Sequence, residues 1–175
     1  GARGGGHWDL CAADGLSLPF ADGRFDLVVC AEVLEHVRAD GRVLAEIARV
    51  LRPAGALAVS VPRHGPERLC WALSADYAAA EGGHVRIYCK PALFARRRRA
   101  GLEPRALHYA HSLHTPFWWL KCLVGPRRTD APLVSLYHRF LVWDLMQKPR
   151  LTRVVERMLN PILGKSLVVY CKKLP

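Results

Sequence analysis

The sequence lacks any apolar run of the roughly 18 to 20 residues that a helix needs to cross a bilayer. Its first residues are rich in glycine instead of a charged stretch followed by an apolar one, so we expect neither a transmembrane helix nor a signal peptide. It also lacks any Cys-x-x-Cys pair, because its six cysteines lie far apart. This spacing argues against a disulfide framework or a zinc site and favours free thiols in a reducing cytoplasm.

Acidic residues are scarce in the second half of the chain. Residues 1–90 carry 10 Lys and Arg against 11 Asp and Glu, whereas residues 91–175 carry 16 against 4. The whole net charge of +11 therefore arises after residue 90. A basic region of this kind attracts nucleic-acid phosphates, anionic lipid head groups or an acidic substrate, and composition does not choose among them.

The apolar patterns of this chain, which is 175 residues long and 51% apolar, alternate between strand and helix periods. They predict strands over residues 8–13, 25–30, 56–61, 106–111 and 167–171. Helices are predicted around 43–51, within 62–83 and over 91–100. Strands separated by helices indicate an α/β fold with a mostly parallel sheet and flanking helices.

The segment 13–37 carries the most information about function, and it reads ADGLSLPFADGRFDLVVCAEVLEHV. Residues 25–30 form a short apolar run rich in β-branched side chains, which is typical of a parallel strand covered on both faces. Ligands of open parallel sheets bind beyond the carboxyl ends of the strands. We therefore expect Asp14 and the segment 30–36 beside a bound cofactor.

This segment resembles class I S-adenosylmethionine-dependent methyltransferases of the type 11 kind, in which an acidic turn before LPF, an FDxV strand and EVLEH follow in this order. The string RVLRPAG continues the resemblance, which is close over residues 8–61 and looser over 83–110. It implies a Rossmann-like fold and S-adenosylmethionine as cofactor. In the resembled fold the last two strands usually form a hairpin, so we expect the roughly 50 residues before the last strand to be a helical insertion. We accordingly predict a Rossmann-like part over 1–111, a helical lid over 112–166 and the last strand of the same domain over 167–175.

The resemblance also implies roles for individual residues. Asp14 would accept a hydrogen bond from the adenine amino group, with Ala13 and Gly15 offering backbone groups to the ring. Cys30 and Ala31 would line the methionine end of the cofactor. The other interpretation of Asp14 is a residue that caps its own turn. His36, beside the transferred methyl group, is the candidate general base.

Three side chains of the EVLEH string are candidate metal ligands. At positions i, i+3 and i+4 of a helix, Glu32, Glu35 and His36 share one face. Some quinone-biosynthesis O-methyltransferases resemble this Glu-x-x-Glu-His pattern and hold a divalent cation with it. The interpretation that we favour has no metal: the two carboxylates stabilise the helix N-terminus and His36 packs near the cofactor.

The glycine-rich turn and the ribose-binding acidic residue of the resembled family would stand before Asp14, where only 13 residues are present. The glycines of 1–6 neither follow a strand nor open a helix. We therefore expect a fold incomplete at its N-terminus, with weak or no cofactor binding by this chain alone and an exposed sheet edge.

The predicted lid is rich in aromatic residues and histidines. Residues 133–145 make a helix that is apolar over most of its surface, and 151–159 make an amphipathic one with Arg150, Arg153 and Arg157 on its other side. Such helices lie on a membrane surface, cover an apolar substrate, or pack on each other. His108, His111 and His114 stand three apart, but a partly extended segment would not bring them together on zinc.

These observations predict an S-adenosylmethionine-dependent methyltransferase acting on a small, apolar or lipid-like metabolite, in the cytoplasm or at the membrane periphery. The alternative is a non-catalytic or truncated remnant that acts as a binding or membrane-surface module. An RNA methyltransferase is a third, weaker interpretation, because the basic run 96–99 lacks interleaved aromatic residues and nucleic acid is not the expected partner. The oligomeric state leaves no trace in the sequence.

Overall fold

The computed structural model describes residues 9–128 and 130–174, which form a four-stranded sheet and the helices that connect its strands. The strands are β1 (Phe25–Ala31), β2 (Leu51–Pro62), β3 (Leu102–Ala110) and β4 (Ser166–Lys173). The helices are α1 (Asp40–Val50), α2 (His64–Leu73), α3 (Ala75–Ala78), α4 (Lys90–Arg99), α5 (His114–Val124), α6 (Pro132–Gln147) and α7 (Arg150–Leu163). The predicted helical insertion before the last strand is confirmed, since α5, α6 and α7 stand between β3 and β4.

The strand order is β1-β2-β4-β3, which confirms the predicted α/β, Rossmann-like arrangement with flanking helices. Fewer of the strand pairs are parallel than in the mostly parallel sheet that was predicted. Within the described residues β1 and β2 are parallel, whereas β4 is antiparallel to both β2 and β3. The chain returns from the insertion at the carboxyl end of β2, where the Arg63 amide donates to the Lys165 carbonyl at 2.6 Å. From that point β4 can only run back against its neighbours.

Helix α1 packs beside the β1–β2 pair because its apolar residues recur at helical spacing. Val43, Leu44 and Ile47 are buried against the sheet. The helix passes into β2 without a loop, so β2 begins at Leu51 and not at the predicted residue 56. A register shift opposite Phe25 and a positive φ of 60° at Ala54 accommodate this irregular start.

The strand predicted over residues 8–13 is wrong for the part that the structure describes. Residues 9–13 form no strand, and Leu10 is 88% exposed. The chain instead reaches β1 through a loop that is tied to α1: the Leu18 amide donates to Glu46 at 2.9 Å, and Arg49 donates to the carbonyls of Leu18 and Phe20. Residue 8 and those before it lie outside the described part of the chain.

The main core lies on one face of the sheet, between the strands, α1 and α4. Its buried side chains include Leu57, Val59, Leu93, Leu167 and Val169. A second, smaller cluster around Phe117, Val134 and Leu141 joins α5 to α6. No helix within the described residues is long and apolar enough to cross a membrane.

Asp40, at the start of α1, connects the helix to the segment before α4. The Tyr88 hydroxyl and the Arg86 guanidinium donate to its carboxylate, and Arg96 Nε lies 2.6 Å from Oδ2. Burial alone would raise the pKa of Asp40, but the hydrogen bonds from Tyr88 and Arg86 hold it below its usual range. The carboxylate therefore contributes stability above its unfolded-state pKa of about 3.9, and this contribution is lost as the pH falls toward the folded-state value.

We expect Asp40→Asn to lower the free energy of unfolding at pH 7 by about 2 kcal/mol, because a charge-assisted network of buried hydrogen bonds is weakened. Urea denaturation at several pH values measures the loss, which should shrink as the pH is lowered. Asp26→Asn is the matched control, since that carboxylate is exposed and forms its ion pair with Arg52 on the surface. Equal urea midpoints for the two variants would contradict this assignment.

Candidate active site at the end of the first strand

Strand β1 ends at Ala31, and the next residue turns the chain sharply. Glu32 has a positive φ of 53°, its amide donates to the Ser60 carbonyl, and its carboxylate accepts from Ser60 Oγ at 2.8 Å. A single 3-10 turn, Leu34–His36, then follows. The predicted helical face that would join Glu32 to Glu35 and His36 is therefore absent, because Glu32 is not helical and is directed back to β2.

Glu35 is the most completely buried carboxylate near this turn. Its side chain is fully enclosed, and among the described residues neither carboxylate oxygen has a hydrogen-bond partner. Burial raises the pKa of Glu35, and the neighbouring charge of Glu32 adds to this increase. A buried carboxyl group without a partner is costly unless it binds a proton or a cation.

His36 lies against Glu35 and is 40% exposed. Its Nδ1 is 2.9 Å from the Gly82 carbonyl oxygen and 3.2 Å from that of Gly83, so Nδ1 carries the hydrogen and donates. Nε2 lies 3.8 Å from Glu35 Oε1. In neutral His36 the lone pair therefore sits on Nε2, where it can accept a proton or bind a metal.

His84 joins this site from a distant loop, and nothing in the sequence pattern identified it. Its ring centroid is 5.0 Å from that of His36. Its Nδ1 lies 2.5 Å from Glu67 Oε1, so Glu67 fixes the ring as it accepts this hydrogen bond. Glu67 is itself almost fully buried on α2, with Lys165 Nζ at 3.7 Å and the Tyr77 hydroxyl at 3.5 Å.

Glu35, His36 and His84 could together hold a metal ion, since one ligand atom from each lies within 4.8 Å of the others. Two imidazoles and a carboxylate suit manganese, iron or zinc better than magnesium. Each imidazole also places Nδ1 against a protein acceptor, so that Nδ1–H donates and Nε2 stays free for a metal, which is how metal-binding histidines are oriented. The structure thus brings together two members of the predicted Glu32, Glu35 and His36 set, and His84 takes the place of Glu32.

The predicted adenine-binding residues lie in the loop before β1. Asp14 is exposed, and its Oδ1 accepts a hydrogen bond from the Leu16 amide at 2.9 Å. This is the turn-capping contact that the sequence offered as the other interpretation. Ala13 is exposed and Gly15 is half-buried, with Val43 of α1 next to it. A role for these three residues toward adenine remains a prediction.

The two residues predicted at the methionine end of the cofactor point in opposite directions. Cys30 is buried in the main core, where burial and the nearby Glu35 raise the pKa of its thiol to about 11. Ala31 is exposed on the other face. Cys30 could therefore line a ligand only through its backbone, while Ala31 also presents its methyl group. Their role likewise remains a prediction.

The histidines of the insertion do not form a three-histidine site. His108 stacks on Tyr170 within the sheet, while His111 and His114 lie together with Glu156 of α7. Arg153 Nη1 is 3.2 Å from Glu156 Oε2, so a cation there would compete with a guanidinium.

Comparisons with known proteins give the site its context. The methyltransferase domain family matches residues 2–59, which include the loop with Asp14, β1 and the Glu35–His36 turn. A demethylmenaquinone methyltransferase of Renibacterium salmoninarum is 43% identical over 157 residues, covering 81% of this chain and 60% of that protein. A ubiquinone biosynthesis O-methyltransferase of Dechloromonas aromatica is 34% identical over 91 residues, covering 49% and 39%.

Solved structures share the fold. An S-adenosylmethionine-dependent methyltransferase of Thermotoga maritima superposes with a TM-score of 0.58 at 15% identity, over 92% of this chain and 62% of that one. The [4+2]-cyclase SpnF superposes with a TM-score of 0.55 at 18% identity, over 95% and 56%. The protein thus has the class I methyltransferase fold. Its sequence is similar to methyltransferases over the matched part, which spans 22 to 60% of the length of three curated proteins of that kind.

Proposed function

We propose that this chain carries the reaction centre of an S-adenosylmethionine-dependent methyltransferase whose acceptor is a small, apolar or lipid-like molecule. The observation that supports it most is the cluster of Glu35, His36 and His84, which directly follows β1 within the segment matched by the methyltransferase domain family. Relatives named for demethylmenaquinone and ubiquinone biosynthesis support an apolar acceptor of the quinone type.

In the proposed reaction the bound cofactor supplies the methyl group, and the chain orients the acceptor and manages its proton. Asp14 holds the adenine amino group, with the backbone of Ala13 and Gly15 at the ring edge, and Cys30 and Ala31 flank the methionine end. His36 Nε2 takes the proton of an acceptor hydroxyl, and the acceptor, now the stronger nucleophile, receives the methyl group as the cofactor leaves as S-adenosylhomocysteine. The hydrogen bond from His36 Nδ1 to Gly82 keeps the ring in the tautomer that this step requires.

The same three side chains support a metal-assisted version of the reaction. A divalent cation held by Glu35, His36 and His84 would orient an acceptor hydroxyl and lower its pKa. The two versions exclude each other for His36, because Nε2 cannot bind a metal and accept a proton at once. They therefore differ in one measurable property, the dependence of turnover on a cation.

We expect the complete gene product to bind S-adenosylhomocysteine, and Asp14→Ala to weaken this binding about ten-fold through loss of a hydrogen bond to a charged group. Isothermal titration calorimetry measures both. Asp26→Ala is the matched control, since Asp26 lies at the start of β1, whereas the candidate site lies beyond the carboxyl end of that strand. No binding by the unaltered protein would refute the enzyme proposal, and unchanged affinity of Asp14→Ala would leave Asp14 as a turn cap.

A non-catalytic role as a binding module is the second candidate. The observation that favours it is the large apolar surface that α6 and α7 leave exposed. The fold is compatible with either role, because folds host unrelated activities and the shared fold of a [4+2]-cyclase illustrates this.

A further inference from the structure

Helix α7 packs against the rest of the protein with its polar side. The Ser112 amide donates to Asn160 Oδ1 at 3.1 Å, and Ser112 Oγ donates to the Glu156 carbonyl at 3.2 Å. Arg153 on the same side binds Asp144 of α6 and Glu156. An amphipathic helix of a water-soluble domain normally buries its apolar side, so this orientation is the reverse of the usual one.

The apolar side of α7 faces outward as a consequence. Leu151 and Met158 are 75% and 72% exposed, and no residue of this helix is buried by the described part of the chain. The exposed side chains follow the i, i+3, i+4, i+7 spacing of a single helical stripe. We call them the α7 stripe: Leu151, Val154, Val155, Met158 and Ile162.

Helix α6 adds further apolar surface. Only Val134, Leu141 and Asp144 are buried along its 16 residues, which leaves most of the helix circumference open. Its exposed apolar side chains are Leu133, Leu136, Phe140, Val142, Trp143, Leu145 and Met146. A helix that is apolar almost all round is normally covered, and large exposed apolar areas mark interaction sites. Together with the α7 stripe these side chains form the α6–α7 surface.

The solvent-exposed charges on these two helices are all positive. Arg139, Lys148, Arg150 and Arg157 are exposed on α6, α7 and the link between them. The acidic residues of the two helices, Asp144 and Glu156, are both turned inward and paired with Arg153. An occupant of this surface must therefore combine an apolar interior with negative charge at its edge.

We propose that the α6–α7 surface docks on an anionic lipid bilayer, with the apolar side chains in the acyl boundary and the four cations among the head groups. Bilayers supply both required properties at once. A second copy of this chain would present the same four cations, and like charges across an interface oppose association. The inference is independent of the proposed methyl transfer, since docking requires neither cofactor nor turnover.

Sedimentation with vesicles tests the proposal on the complete gene product. We expect it to bind vesicles of equal parts phosphatidylcholine and phosphatidylglycerol, and to bind phosphatidylcholine alone at least ten-fold more weakly. Raising the salt concentration should release it from the anionic vesicles, because the head-group attraction is screened. Met158→Asp should lower the affinity about ten-fold or more, and Arg150→Glu about five-fold or more.

Leu10→Asp is the matched control, because Leu10 is also largely exposed but lies outside both helices. It should bind the vesicles like the unaltered protein. Failure to bind anionic vesicles would overturn the proposal, as would equal losses in Leu10→Asp and Met158→Asp. If Met158→Asp instead abolishes a dimer seen by analytical ultracentrifugation and vesicles are not bound, the occupant is a second copy.

Discussion

Turnover should fall about 100-fold when His36 is replaced by alanine, because the proposed proton transfer to Nε2 loses its acceptor. The variant should still bind S-adenosylhomocysteine, since His36 is assigned to the acceptor side of the reaction. The assay uses the complete gene product, radiolabelled S-adenosylmethionine and reduced demethylmenaquinone, whose hydroxyl groups make it a suitable trial acceptor. His64→Ala is the control, because His64 is exposed at the start of α2 and lies outside the cluster.

A chelator separates the two roles of His36. If Nε2 is the proton acceptor, EDTA leaves the turnover of the unaltered protein unchanged. If Nε2 binds a cation with Glu35 and His84, EDTA lowers the turnover of the unaltered protein about 100-fold, as the loss of His36 does. Added Mn²⁺ then restores turnover in the unaltered protein but not in His36→Ala. Near-normal turnover of His36→Ala with intact cofactor binding removes both roles. No turnover by the unaltered protein with bound cofactor would count against this class of acceptor.

Glu67→Leu should lower the free energy of unfolding by about 3 kcal/mol, the second large effect that we expect. Glu67 is nearly fully buried, and its carboxylate accepts from His84 and lies beside Lys165. Its removal leaves the half-buried ring of His84 without its partner and Lys165 without its counter-charge. Urea denaturation followed by tryptophan fluorescence is a suitable measurement, since Trp119 Nε1 donates to the Pro66 carbonyl beside Glu67.

Glu67→Gln is the conservative variant for the same position, because its amide oxygen can still accept from His84. Burial alone would raise the pKa of Glu67, but the hydrogen bond from His84 and the charge of Lys165 hold it below its usual range. A lowered pKa means that the carboxylate contributes stability above its unfolded value of about 4.3, and that this contribution fades as the pH falls. The free energy of unfolding of Glu67→Gln should therefore vary less with pH at acidic pH than that of the unaltered protein. An equal pH dependence in the two proteins would contradict the assignment.

The sequence predicted β1, α1 and β4 well because local apolar periodicity decides each of them, and α4 because Pro91 opens it and Gly101 follows its end. It failed at residues 9–13, where an apolar stretch meets no neighbouring strand within the described residues. It also failed at the start of β2, where a proline and a glycine indicated a loop but the strand continues through an irregular register. Tertiary pairing overrides local preference at both positions.

For the candidate site, the local string EVLEH was enough to single out Glu35 and His36. Glu32 was misplaced because its left-handed backbone conformation, which is uncommon for a glutamate, breaks the assumed helical spacing. His84 and Glu67 could not be predicted, since 48 residues separate His84 from His36 and no spacing rule connects them. Likewise the amphipathic character of α7 was predictable, but the side that faces the protein was not, because it depends on contacts with Ser112 and Asp144.

The backbone contacts at the base of the insertion have a consequence for how such a protein can change over evolution. Ala110 and Ser166 are paired neighbours in the β3–β4 ladder. The two ends of the segment between them are also joined, because Thr115 Oγ1 donates to the Leu163 carbonyl at 2.6 Å. A tight turn could join the same two strand ends, because they already lie next to each other. Helix α5 and Lys165 are tied to α2 through Trp119 and Glu67, so the part of the insertion that can be exchanged without breaking these contacts or the β3–β4 ladder is the α6–α7 pair with its docking surface.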